Sequence, residues 1–175
     1  MKKTLLTICA FFFALHCIAQ SDFPIDSVTK KISYSRTYKT KLKKPALYSK
    51  IREWYATQFA SSKAVVQLDD KVSGKIIGKS AIDFEYPYNG DWIKYHLAFT
   101  VKVNYRDFKY KCSITDLVIR SSSFDEDTEL EIYNSVIGDH PDGKAELSSL
   151  SAGLTVRLYT LIFALPEIVD KKDNF

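Results

Sequence analysis

Cysteine, histidine and methionine are scarce in this 175-residue chain, at three, three and one. Two of the cysteines, Cys9 and Cys17, lie in the first twenty residues. If that segment is removed, Cys112 stands alone and no intrachain disulfide can form. His96 and His140 are then the only histidines, too few and too far apart for a structural zinc site, so no metal and no cofactor is expected. A strong charge of one sign is also missing: 25 basic side chains face 21 acidic ones, for a net +4. That balance argues against a nucleic-acid partner, whose proteins carry a marked basic excess. With six glycines and five prolines the chain has no low-complexity tract. Long apolar runs are lacking beyond the N-terminus. The nearest, Leu158 to Leu165, is short and follows Arg157, so no membrane span is expected there.

What is present begins with MKKTLLTICAFFFALHCIAQ. Lys2 and Lys3 form a positive start, Leu5 to Leu15 an uncharged apolar run, and Cys17-Ile18-Ala19 an approximate small-x-small cleavage site. Residues 1–19 are expected to be a signal peptide, and residues 20–175 one exported domain, periplasmic or secreted. Lipid anchoring at Cys17 is disfavoured, because bulky His16 stands where a small residue is needed. The mature 156 residues, at net charge +2, suffice for a single substantial core, and 14% aromatic residues can fill it.

Apolar spacing then sets the order of elements. Ile32, Tyr34 and Tyr38 suggest a strand over 31–40. Leu47, Ile51, Trp54, Tyr55 and Phe59 share one face of a helix over 45–60, with Pro45 in its first turn. Ala64 to Asp69 and Lys75 to Tyr86 read as strands. Next, Ile93, Tyr95, Leu97, Phe99, Val101, Val103 and Tyr105 hold seven successive odd positions, so one face is buried and the other wet. Phe108, Tyr110, Cys112 and Ile114 are expected to continue the buried face after an Arg106-Asp107 turn. Residues 121–144 read as a polar, irregular connection. Leu147, Leu150, Leu154, Leu158, Leu161, Leu165 and Ile168 recur at three and four, marking a long last helix. The sum is an α+β domain in the order strand, helix, four strands, helix, with the helices packed on one face of an antiparallel sheet.

Three segments carry a resemblance: Lys31-Ile32-Ser33-Tyr34, the helix of Trp54, and VVQLDDKVSGKIIGKS at 65–80. By these, the stretch from Lys31 to about Ile119 resembles a family of exported bacterial proteins, the domain of unknown function 4468 with a TBP-like fold. The resemblance implies a curved antiparallel sheet backed by helices and assigns no catalytic residue. A fold shared with TATA-binding proteins does not imply DNA binding.

The chemical motifs read as structure. Gly74 to Ser80 has three residues between its glycines where a phosphate loop has four, and it lies in a strand. Ser27-Val-Thr-Lys30 has the serine–lysine spacing of penicillin-recognising enzymes without their other motifs. Asp125, Asp127 and Glu129 alternate like a calcium loop, but Leu130 replaces its glycine and no glutamate closes it. Cys112 falls among buried aromatics and has no evident base. No catalytic residue is therefore expected.

Two surface features remain. The wet strand face gathers Lys79, Lys94, His96, Lys102 and Lys111, together with Lys39, Lys75 and Lys109, against Asp83 and Glu85. Such a face would concentrate an acidic ligand. The last helix bears a second apolar stripe, Val156, Tyr159 and Phe163, suited to a partner or a second copy. Trp92 and Tyr88 flank a strand-connecting turn as ligand-contact aromatics or core-edge caps. The function expected is a non-enzymatic binding or assembly module of the envelope, with an envelope protein or acidic glycan as partner. The alternative is a hydrolase or lyase acting on an envelope polymer, which a His–Asp pair in a deep pocket would favour.

Overall fold

The computed structural model describes residues 23–59, 65–88, 91–122, 124–140 and 143–171. The signal-peptide reading of residues 1–19 falls outside them, as do the side chains of Tyr88 and Asp125. The chain runs β1 (Tyr34–Lys39), α1 (Lys44–Gln58), β2 (Val65–Asp70), β3 (Lys75–Tyr88), β4 (Asp91–Arg106), β5 (Lys109–Ser121), β6 (Phe124–Glu129), α2 (Leu130–Gly138) and α3 (Gly143–Val169). The strands form one antiparallel sheet in the order β1-β5-β4-β3-β2, and β6 pairs with β5 on the same edge as β1. α1 and α3 pack on each other and on one face of this sheet, and no described helix covers the other face.

Alternation decides which side of each strand meets the helices. Tyr95, Leu97, Phe99, Val101, Val103 and Tyr105 are all buried, as the odd positions of β4 require. They meet Leu47, Ile51 and Trp54 of α1 in a single core that continues through Leu150, Leu154, Leu158, Ile162 and Leu165 of α3. Each such side chain contributes roughly 1.5–3 kcal/mol by leaving water. α1 begins at Lys44, with Pro45 in its first turn. Its exposed N-terminal end is capped from outside: the Lys44 N–H donates to Asp107 Oδ1 at 2.7 Å. That carboxylate also opposes the positive end of the helix dipole. Gly74 closes the β2–β3 turn at φ 74°, where a Cβ would stand 2.1 Å from the Tyr105 carbonyl oxygen.

Several expectations change. Residues 121–144, read as an irregular connection, include β6 and α2. Leu130, Tyr133 and Ile137 are buried at helical spacing within a stretch whose acidic residues mask the pattern. Among the described residues the sheet thus has six strands and three helices cover it, within the expected α+β arrangement. In β5 the buried phase shifts from even to odd positions across a bulge at Thr115–Asp116, where Asp116 adopts φ 52°. Leu117 and Ile119 join the core for that reason. Phe108 does not continue the buried face: it sits in the turn, 51% exposed. Thr100, expected to be wet, is buried between cross-strand neighbours Lys79 and Thr115.

The membrane reading of α3 also needs correcting. By length and composition this helix is apolar enough to cross a membrane, Arg157 notwithstanding. Its leucine seam supplies part of that hydropathy, with Leu150, Leu154, Leu158, Ile162 and Leu165 buried against the sheet and α1, while Val156 and Phe163 are exposed. The upper part of β3 runs on beyond its pairing with β2, which stops at Lys79. Asp83, Glu85 and Pro87 on that stretch blunt the open edge.

Candidate functional site

The uncovered face is built from residues that alternate with the core. Strand register places them in rows: Lys79–Thr100–Thr115, then Lys102–Ser113–Ser35, then Asn104–Lys111–Thr37, then Arg106–Lys109–Lys39. All five residues expected to form a basic face, Lys79, Lys94, His96, Lys102 and Lys111, lie on it. They do not form one site.

Towards the β3–β4 turn the basic side chains have carboxylate partners. Lys94 Nζ lies 3.7 Å from Glu85, and His96 Nδ1 lies 2.5 Å from Asp83 Oδ1. Arg120, opposite His96 in the ladder, is bonded to Asp127 at 2.9 Å. Asp83, Glu85, Lys94, His96 and Arg120 line a shallow cavity of about 430 Å³. The Asp83 contact favours the His96 tautomer with the proton on Nδ1, which leaves Nε2 as the basic nitrogen. Both side chains are wet, with His96 47% and Asp83 84% exposed. Trp92, 66% exposed, stands at the same end, opposite Pro87.

Towards the β4–β5 turn the pattern reverses. Lys79, Lys102, Lys109 and Lys111 make no ion pair within 4.0 Å among the described residues. Lys109 and Lys111, with Arg106, Asn104 and Thr37, line a cavity of about 360 Å³. Around the β1 edge a larger cavity, about 800 Å³, is lined by Lys39, Thr40, Lys41, Leu42, Ser49 and Lys50 among others. Lys39 joins the two, since it pairs with Lys109 across β1 and β5.

Phe108 sits in the β4–β5 turn, next to Lys109 of the smaller cavity and bonded through its backbone to Thr40 and Leu42 of the larger one. It holds φ 64° in the two-residue turn between Arg106 and Lys109, a place that normally takes glycine or asparagine. For a bulky L-residue that conformation costs about 1–2 kcal/mol. Two backbone bonds hold it: the Phe108 N–H donates to the Leu42 carbonyl at 3.0 Å, and the Thr40 N–H to the Phe108 carbonyl at 3.1 Å. Its ring has no aromatic or cation–π partner among the described residues. Sequence reasoning missed it by extending the alternation through the turn. Counting a two-residue turn back from Lys109 places it correctly.

The remaining candidates resolve as structure. Cys112 is fully buried, and burial pushes its thiol up to about 12. The Ser27–Lys30 segment is a turn in which Asp26 Oδ1 accepts the Val28 and Thr29 N–H groups. Asp127 is bonded to Arg120. Among the described residues no three His, Cys, Asp or Glu side chains converge as metal ligands. On α3, Val156 is exposed, while the Tyr159 ring stacks on Phe163 at 5.6 Å and Arg36 lies over Phe163.

Comparison with solved structures identifies the architecture. A TBP-like protein from Parabacteroides distasonis superposes with a TM-score of 0.65 at 15% identity, over 86% of this chain and 98% of that one. A DUF4468 family protein from Bacteroides ovatus gives 0.66 at 10% identity, over 86% and 93%. At such identities the likeness establishes the fold. No curated protein matches the sequence. The family model of a domain of unknown function (DUF4468) with TBP-like fold matches residues 34–120, and through that segment the chain belongs to this family.

Proposed function

We propose that this chain is a non-enzymatic binding module of the bacterial envelope, holding an acidic ligand on the uncovered face of its sheet. One observation carries the reading. Lys79, Lys102, Lys109 and Lys111 carry no ion pair within 4.0 Å among the described residues, Asp26 acting on Lys111 only at longer range, while at the other end Lys94 and Arg120 are paired with carboxylates and His96 is hydrogen-bonded to Asp83. An unpaired basic cluster on a broad polar surface attracts anions in a salt-dependent way. The test is retention on an acidic polysaccharide resin over a salt gradient. Wild type binds at low salt, and the double substitution Lys102→Glu, Lys111→Glu elutes far earlier. Flow-through of wild type at low salt would sink the reading.

The His96–Asp83 pair favours a second reading, a hydrolase or lyase with His96 Nε2 as general base. Its exposure weighs against it, because a base in contact with bulk water lacks the dry surroundings that strengthen such chemistry. Turnover of an acidic envelope polymer that disappears in His96→Ala would establish it, and absence of turnover in wild type would remove it.

A further inference from the structure

We infer that Phe108 is the ring-stacking platform of an acidic-glycan path that leaves the sheet face at Lys102 and Lys111, crosses the β4–β5 turn, and enters the cavity beneath the β1–α1 connection. The inference rests on the anion-binding reading above and specifies its ligand as a linear acidic polysaccharide.

Three observations converge on the turn. First, the basic positions form a continuous track and not an isolated patch. Lys111 and Lys109 line the smaller cavity, Lys39 pairs with Lys109, and Lys39, Lys41 and Lys171 line the larger one, where Asp170 is the one carboxylate of the lining. Crossing β4, β5 and β1 spans about 10 Å at the usual strand separation, before the second cavity begins. A ligand engaging both must therefore be a chain. Second, Phe108 occupies the crossing itself, with its backbone bonded to Thr40 and Leu42 of one cavity wall and followed directly by Lys109 of the other. Third, it is an exposed aromatic residue held in a conformation suited to glycine. The residue keeps about half of its surface in water there, so burial offsets only part of that strain, and strain of this kind concentrates at ligand-contact positions.

The chemistry of the track selects among polymers. Thr37, Asn104, Thr40 and Ser49 offer hydrogen bonds to hydroxyl groups, the lysines would meet a ligand's carboxylates, and the exposed ring of Phe108 offers a surface for the C–H face of a sugar. Single-stranded nucleic acid wants successive aromatic platforms, and a protein partner wants a desolvated aromatic cluster. The smaller cavity does include Tyr105 and Tyr110, but both are almost fully buried and Tyr110 is stacked on Tyr38, so no row of exposed platforms lies along the track among the described residues.

Titration calorimetry with oligogalacturonates of two, four and eight units tests the inference. Affinity is expected to rise with length. Phe108→Gly should retain or raise the thermal midpoint, since glycine suits the backbone, yet bind the octamer about tenfold more weakly. Phe108→Trp should bind nearly as wild type does, and Lys41→Glu should weaken the octamer but not the dimer. Octamer binding by Phe108→Gly equal to wild type, or affinity independent of length, overturns the path. In either case the sheet-face reading survives if Lys102→Glu, Lys111→Glu still abolishes binding. If wild type binds no oligomer, both fail. Tighter binding of oligo-dT than of the octamer at equal salt assigns the track to nucleic acid and overturns the glycan.

Discussion

The hydroxyl of Tyr38 donates to the carbonyl oxygen of Ile162 across 3.4 Å. That carbonyl lies four residues before Pro166, which has no N–H to give it, so β1 supplies from outside what the helix lacks. Tyr38→Phe should cost about 1 kcal/mol in urea unfolding, at the modest end because the bond is long. Pro166→Ala restores the internal donor, so in that background Tyr38→Phe should cost measurably less. Equal costs in both backgrounds would show that the hydroxyl does not serve this carbonyl.

Asp107 does the same for the start of α1, since the N-cap residue Lys43 offers no side-chain acceptor. Asp107→Ala is expected to destabilise by about 1 kcal/mol, and Asp107→Asn by less, because an amide oxygen still accepts while the charge on the dipole is lost. An alanine variant with an unchanged denaturation midpoint contradicts the capping role.

These two contacts show where the sequence is readable. The alternation of β4 and the leucine spacing of α3 repeat for many residues, so each is legible without knowledge of its neighbours. Tyr38–Ile162 and Lys44–Asp107 join residues 124 and 63 positions apart, and no local pattern announces them. β6 is hidden because it is short, acidic and paired only with the upper half of β5. The basic face was legible from alternation. Its division was not, because Lys94 and His96 meet Glu85 and Asp83 only through the β3–β4 register. Phe108 escaped because a two-residue turn interrupts the alternation that it superficially continues.

Glu146 of α3 joins three elements. Its Oε1 accepts the hydroxyl of Tyr133 at 2.8 Å and that of Tyr95 at 3.1 Å, and both tyrosines are buried. Glu146→Ala weakens the bonding of two buried phenols together, for an expected loss of about 2–3 kcal/mol. Glu146→Gln keeps an acceptor oxygen and should lose under half of that. If both variants melt together with wild type, the junction is not a stabilising one.

Alkaline unfolding offers the last test, and its sign follows from burial. Desolvation raises the phenols of Tyr34 and Tyr105 to about 12, those of Tyr55, Tyr110 and Tyr133 further still, and the Cys112 thiol to about 12. In the unfolded chain phenols release protons near 10, so above that pH the unfolded state holds fewer protons than the native one and stability falls as pH rises. Below that range these phenols are protonated in both states and contribute no slope. The buried tyrosines should therefore ionise together with loss of structure, tyrosinate absorbance rising as circular dichroism falls between about pH 10 and 12. Cys112 should stay closed to thiol reagents at pH 8 until denaturant unfolds the chain. Ionisation of all the tyrosines near pH 10 with the fold intact, or rapid labelling of Cys112 in the native state, would contradict the packing of this core.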